Sequence, residues 1–110
     1  MDQDKAIEAF SALAQTSRMS IFRLLVRVGP EGLPVGEISR QLDIVISTLS
    51  GHLSVLKRAG LLRATRHQKE IYYAANLTAV NDLVCFLLAD CCGGRLENCS
   101  EIISLLEPAP

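Results

Sequence analysis

The sequence contains no tryptophan, and its aromatic residues are two tyrosines and three phenylalanines. A composition with so few aromatic residues favours a helical domain with an aliphatic core over a β-sandwich, whose strands are rich in aromatic residues. No apolar run approaches the ~18 residues that span a bilayer, and the polar start Met1–Lys5 does not resemble a signal peptide. We therefore expect a cytoplasmic protein without a membrane partner, with its 110 residues forming one domain.

Arrangements that carry common catalytic chemistry are also missing from the sequence. No phosphate-binding loop, paired carboxylates or nucleophile–base set is apparent, so we do not expect an enzyme. The four cysteines are expected to be thiols in a reducing compartment. Their presence therefore favours ligand binding or redox chemistry over a disulfide framework.

The net charge of −1 does not by itself suggest a nucleic-acid partner, but its distribution does. Residues 40–70 carry six basic and two acidic side chains, a net charge of +4, which leaves −5 for the rest of the chain. A basic middle between acidic ends predicts one surface that faces a polyanion. A solvated charged surface is the alternative interpretation.

The hydrophobic pattern predicts two helices followed by a helix-turn-helix. Apolar residues at helical spacing predict a first helix that ends near Gln15 and a second that stops at Gly29–Pro34. Two shorter helices, joined by a tight connection at Asp43–Val45, come next. They predict a helix-turn-helix over residues 35–60.

Strand-forming residues follow the helix-turn-helix. Two such runs around Gln68–Lys69 predict a β-hairpin, the wing, over residues 61–75. Residues 77–107 predict a long helix, ended by Gly93–Gly94, and a last short helix beyond it. The predicted fold is mainly α, of the α+β type: a winged helix-turn-helix with five to six helices and one β-hairpin, in one domain spanning residues 1–110.

The fourth predicted helix has a polar side opposite its leucines. Small hydroxyl side chains let a helix lie deep in the major groove, where Ser, Thr and His reach base edges or phosphates. Basic residues near the helix and on the hairpin are expected to contact phosphates. The candidate DNA-contacting residues are Arg40, Ser47, Thr48, Ser50, His52, Lys57, Arg58, Arg66, His67 and Lys69. A polar face exposed to solvent is the alternative for any one of them.

The segment from Ser47 to Leu62 resembles the recognition helix and first wing strand of the ArsR/SmtB family of metalloid- and metal-responsive repressors. The matching residues are Thr48, Ser50, His52, Leu53, Ala59, Gly60 and Leu61. Gly51 stands where the family usually has arginine and Ser54 where it often has lysine, so operator affinity and sequence preference are expected to differ. The resemblance implies a homodimer, formed through the first and fifth helices, that binds double-stranded operator DNA.

Inducer sites in this family lie at different places, and two of them do not match this sequence. Residues 35–42 lack the cysteines of the best-known arsenic site, and the two histidines lie in the DNA-reading half rather than on the fifth helix. The remaining candidates are Cys91, Cys92 and Cys99, which resemble the variant whose cysteines lie beyond the fifth helix. Three soft thiolates suit As(III), and Gly93–Gly94 allows the chain to turn so that they converge.

The sequence thus predicts a repressor that releases DNA when As(III), Sb(III) or an organoarsenical binds these cysteines, derepressing an arsenic resistance operon. A thiol-based redox or reactive-sulfur sensor of the same fold is an alternative, and simple buried thiols are another. A thiol enzyme is disfavoured, because Cys91 and Cys92 follow a helix C-terminus, where the dipole disfavours a thiolate. Cys85 is expected to pack in the core or an interface.

Overall fold

The computed structural model of the protein describes residues 1–89, which form five helices and three strands. Their order confirms the predicted winged helix-turn-helix. None of the helices in this part of the chain combines the length and apolarity needed to cross a membrane. The elements are α1 (Gln3–Leu13), α2 (Thr16–Val28), β1 (Leu33–Pro34), α3 (Val35–Leu42), α4 (Ile46–Arg58), β2 (Leu62–His67), β3 (Glu70–Ala75) and α5 (Leu77–Leu88).

Aliphatic side chains from the helices and the start of β2 form the core, as the composition predicts. The largest fully buried side chains are Ile21, Leu25, Ile38, Leu49, Leu53, Leu56 and Leu61. The helix α1 contributes Ala6, Ala9 and Ala12, which are three residues apart and so lie along one side of the helix. Small side chains on this side let α1 lie close to α2 and α4, its packing neighbours.

The first two helix boundaries differ slightly from the prediction. The first helix ends at Leu13 rather than near Gln15. Gln15 instead caps the second helix, because its side-chain Oε1 accepts a hydrogen bond from the Arg18 backbone N at 2.8 Å. The predicted end of the fifth helix at Gly93–Gly94, and the segment after it, lie outside the described residues.

The sheet contains a strand that the sequence does not reveal. The predicted hairpin is present, with β2 and β3 antiparallel from Leu62 opposite Ala75 to His67 opposite Glu70. The segment predicted to be only a turn also contains β1, which pairs with β3 through Leu33 opposite Tyr73. A two-residue strand is too short to show a hydrophobic period, and its pairing depends on residues some 40 positions away.

Gly32 permits this additional pairing. Its φ of +68° lies in the left-handed region that favours glycine. A Cβ at this position would overlap the carbonyl oxygen of Tyr73 on β3. The close approach of the two backbones therefore holds the hairpin against the segment that precedes α3.

Candidate DNA-binding surface

The turn between α3 and α4 sets the direction of the second helix of the helix-turn-helix. Asp43 adopts a left-handed conformation with φ of 54° and ends α3. The hydroxyl of Ser39 donates to the carbonyl oxygen of Ile44 at 2.6 Å, and the Ile44 N donates to the Ser39 carbonyl at 3.2 Å. These bonds fix the connection, while buried Ile38 and Leu49 anchor the two helices in the core.

The outer side of α4 presents short side chains, which we call the recognition face: Ser47, Thr48, Ser50, Gly51 and Ser54. All five residues are exposed. Nothing lies within 4 Å of the position that a Cβ of Gly51 would occupy. The predicted contact residues Ser47, Thr48 and Ser50 therefore share one open surface, and exposed Lys57 lies further along the same helix.

His52 lies beside this face and is half-buried. Its Nδ1 is 3.4 Å from Nη1 of Arg18, whose Nε donates to the carbonyl oxygen of Ala12 at 2.6 Å. A guanidinium donates and cannot accept, so a hydrogen bond between these two side chains has Nδ1 as its acceptor. Arg18 was not among the predicted site residues, since nothing local in the sequence links positions 34 residues apart.

Arg40 forms an ion pair with Glu37 on the outer side of α3. Its Nε donates to Oε2 of Glu37 at 3.0 Å, its Nη2 contacts Oε1, and Gln41 donates to Oε1 at 3.0 Å. The hydrogen bond from Arg40, and after it that from Gln41, lowers the pKa of Glu37, while Glu37 raises the pKa of Arg40. A DNA phosphate would compete with Glu37 for this exposed guanidinium.

The hairpin presents the predicted basic side chains to solvent. Arg66, His67 and Lys69 are all exposed around its tip. Nε of Arg66 donates to the carbonyl oxygen of Gln68 at 3.1 Å, and the ring centroids of His67 and Tyr72 are 4.5 Å apart. Both contacts are local, so they orient the tip while leaving its charge available to a polyanion.

Arg58, at the end of α4, has different surroundings. It lines an open cleft of about 330 Å³ together with Lys5 and Glu8 of α1 and Asp82 of α5. The charges in this cleft are mixed in sign. The structure thus groups Arg58 with α1 and α5 rather than with the hairpin, and its predicted phosphate contact stays a prediction.

The cysteine predictions divide into two groups. Cys85 is exposed on α5 of the single chain, which corrects the expectation of core packing, while packing in an interface stays a prediction. The reason is helical geometry: Leu83 is buried, and a residue two positions on lies about 200° around the helix. Cys91, Cys92 and Cys99 lie outside the described residues. Among residues 1–89 no group of three His, Cys, Asp or Glu side chains is placed to hold a metal ion.

Sequence comparison relates the chain to bacterial regulators. A family model described as a helix-turn-helix domain matches residues 13–65. The uncharacterised HTH-type transcriptional regulator YbzH of Bacillus subtilis is 33% identical, over 74% of this chain and 93% of YbzH.

Structure comparison gives the same relation. HlyU of Vibrio cholerae, named a transcriptional activator, is 30% identical with a TM-score of 0.64, over 84% of this chain and 99% of that structure. The homodimeric winged helix-turn-helix DNA-binding domain of Mb0332 from Mycobacterium bovis, described as a possible ArsR-family regulator, is 25% identical. Its TM-score is 0.63, over 81% of this chain and 82% of that one.

The fold, the exposed recognition face of α4 and these relatives define a DNA-binding transcriptional regulator and not an enzyme. The chain belongs to the ArsR/SmtB family of winged helix-turn-helix regulators. This confirms the family resemblance of the segment from Ser47 to Leu62. The individual DNA contacts stay predictions.

Proposed function

We propose that the protein is a homodimeric repressor that releases its operator when As(III) binds the thiolates of Cys91, Cys92 and Cys99. Sb(III) or a trivalent organoarsenical is a related ligand of the same chemistry. Thiolates are soft donors and select thiophilic centres over hard ions. The expected targets are genes of an arsenic resistance operon.

The observation that carries this proposal is the attachment of α5 to the end of α4, the recognition helix. Asn76, which immediately precedes α5, donates from its backbone N to the Leu61 carbonyl and from Nδ2 to the Gly60 carbonyl, each at 2.8 Å. Gly60 and Leu61 follow α4 immediately after its C-cap, Ala59. A ligand that repositions the far end of α5 would therefore act on the end of α4 through a contact of two hydrogen bonds.

A contact of this size is sufficient for the coupling free energy that allosteric release of DNA requires. Coupling between two binding sites is typically about 1–3 kcal/mol, which changes affinity about 5- to 150-fold. A small movement of α5 is sufficient if it alters the spacing of two recognition helices that must enter successive major grooves.

The surface of the single chain supports a dimer through α1 and α5. Ile7 and Phe10 of α1 and Leu87 of α5 are exposed large apolar side chains. A two-fold axis brings the same patch of both subunits together, so the apolar patch of one subunit covers that of the other. Mb0332, a relative of the same fold, is homodimeric.

The test is fluorescence anisotropy of a labelled duplex from the upstream region, titrated with arsenite under reducing conditions. Wild type is expected to bind and then dissociate. Cys91→Ser, Cys92→Ser and Cys99→Ser are expected to bind equally well but to stay on the DNA. Cys85→Ser is the matched control and is expected to respond like wild type. Release that persists in all three variants would contradict the proposed arsenite site.

A redox or reactive-sulfur trigger on the same cysteines is the second candidate. One observation favours it: a structure of HlyU is described as the reduced form. The same duplex, titrated with hydrogen peroxide or polysulfide instead of arsenite, separates the two. Release by oxidant, with arsenite bound but without effect on the DNA, would favour the redox sensor.

HlyU is named an activator, so the direction of regulation is part of the proposal. In vitro transcription from a promoter that carries the bound duplex measures it. The protein is expected to reduce transcript, and arsenite is expected to restore it.

A further inference from the structure

Two large apolar side chains lie exposed where the recognition helix begins. Val45 is 71% exposed and Ile46 is 52% exposed. They immediately precede Ser47, the first residue of the recognition face. Exposed single hydrophobic residues are common on proteins, but here two adjacent ones stand at the start of the helix that faces DNA.

The sequence at this helix start departs from what favours a helix. Val45 occupies the N-cap position and makes no side-chain capping bond. Ser, Thr, Asp and Asn are preferred there, because their oxygens accept a bond from the first free N–H groups. In this chain α1 and α2 have side-chain caps, from Asp2 and Gln15, whereas α3 and α5, like α4, have none. A residue chosen for local helix stability would not be valine.

The position of the pair suggests what covers it. In a helix-turn-helix the N-terminal residues of the second helix approach the base edges in the major groove. Ile46 and Ser50 are one turn apart and so share a side of α4. The apolar pair is therefore continuous with the recognition face that the helix presents to DNA.

The major groove offers one apolar group, the C5-methyl of thymine. The first ten residues of α4 carry no formal charge, and the recognition face carries only short side chains. This part of the helix therefore has no Arg or Lys side chain to form bidentate hydrogen bonds with O6 and N7 of guanine. Contact with methyl groups is thus the form of base recognition for which this end of the helix is best equipped.

We propose that Val45 and Ile46 recognise thymine methyl groups and so give this regulator a preference for thymine in each half-site. The inference rests on DNA binding through α4. It is independent of the identity of the inducer, because neither residue belongs to the cysteine segment.

The experiment uses duplexes that the wild-type dimer selects from a random library. Each thymine of a selected duplex is replaced in turn by deoxyuridine, which removes only the methyl group. Anisotropy is expected to show about fourfold weaker wild-type binding at one or two positions per half-site. That factor corresponds to about 0.8 kcal/mol per buried methylene-sized group, at 1.36 kcal/mol per tenfold change.

The variants Val45→Ser and Ile46→Ser test whether these residues make the contact. They are expected to bind the thymine duplex less tightly and to lose the sensitivity to deoxyuridine at those positions. Val26→Ser alters an exposed apolar side chain of α2 and is the matched control. It is expected to keep the full wild-type pattern. Thermal melting verifies that each variant is folded, and serine at position 45 provides a better N-cap than valine.

Two results would overturn the proposal. One is a wild-type protein indifferent to deoxyuridine at every position, which would leave a protein partner as the occupant of this surface. The other is a pair of variants that keep the wild-type sensitivity. Failure to select any duplex would remove the basis of the proposal and would contradict DNA binding itself, a separate and recognisable outcome.

Discussion

The recognition helix and the hairpin are both exposed, yet their chemistry differs. Residues 46–56 of α4 contain no Asp, Glu, Lys or Arg. The hairpin, in contrast, carries Arg63, Arg66 and Lys69 against Glu70. Phosphate contacts supply affinity that depends on salt, whereas base contacts supply sequence preference. We therefore expect residues 46–56 to contribute mainly sequence preference and the hairpin mainly affinity.

The two regions are also held in different ways. Buried Leu49, Leu53 and Leu56 attach α4 to the core. Of the hairpin's twelve strand residues few are buried, and its position depends on backbone pairing, with β3 between β1 and β2. The recognition helix is thus fixed mainly by side chains, and the hairpin by main-chain pairing together with buried Leu62 and Ala74.

The largest expected effect comes from breaking the attachment of the hairpin. Gly32→Ala places a Cβ against the Tyr73 carbonyl at a positive φ, and we expect a loss of about 2–4 kcal/mol in the free energy of unfolding. Urea denaturation measures it. Gly36→Ala is the matched control, because no atom lies within 4 Å of its Cβ position. Equal stability of the two variants would show that the β1–β3 contact does not secure the hairpin.

A second prediction separates affinity from sequence preference. Arg66→Gln and Lys69→Gln are each expected to weaken binding to all duplexes alike. Each should also lower the slope of log Kd against log salt by about one per phosphate contact removed. Ser50→Ala is expected to leave that slope unchanged and to alter the ranking of operator sequences. Anisotropy at several salt concentrations measures both quantities. If Ser50→Ala changed the slope as much as Arg66→Gln does, the proposed division would be wrong.

The smallest expected effect concerns Gly51 on the recognition face of α4. Gly51→Ala adds a methyl group in open space within a helix, so we expect the free energy of unfolding to rise by up to about 1 kcal/mol. Thermal melting of the protein without DNA measures the change. Ser54→Ala, on the same face, provides a reference for altering an exposed side chain. Lower stability of Gly51→Ala would show that another atom occupies the space beside this helix in the assembled protein.

Much of the fold could be predicted because its signals are local. The helices α2, α3 and α4 follow from apolar residues at helical spacing, and the hairpin follows from two strand-forming runs around Gln68–Lys69. The serines and threonine of the recognition face could be predicted for the same reason. They lie opposite the buried leucines of a single helix, and a helix turns by a constant angle per residue.

Other features escaped prediction because they join distant parts of the chain. The strand β1 exists through its pairing with β3, and the contact of Arg18 with His52 spans 34 positions. Cys85 was expected in the core or an interface, and on α5 of the single chain it lies on the opposite side from buried Leu83. A hydrophobic pattern does not tell which of two apolar sides of a helix meets the core and which meets another surface.

The sequence by itself determined the family, the order of helices and hairpin, and the contrast between the uncharged residues 46–56 of the recognition helix and a basic wing. These depend on residue type and spacing, which act within one element. Only the tertiary structure decided that Asn76 connects α5 to the end of α4, that Gly32 seats the hairpin, and that Val45 and Ile46 remain uncovered. Each of these depends on the distance between elements, and that distance is set by how the side chains of the whole core pack together.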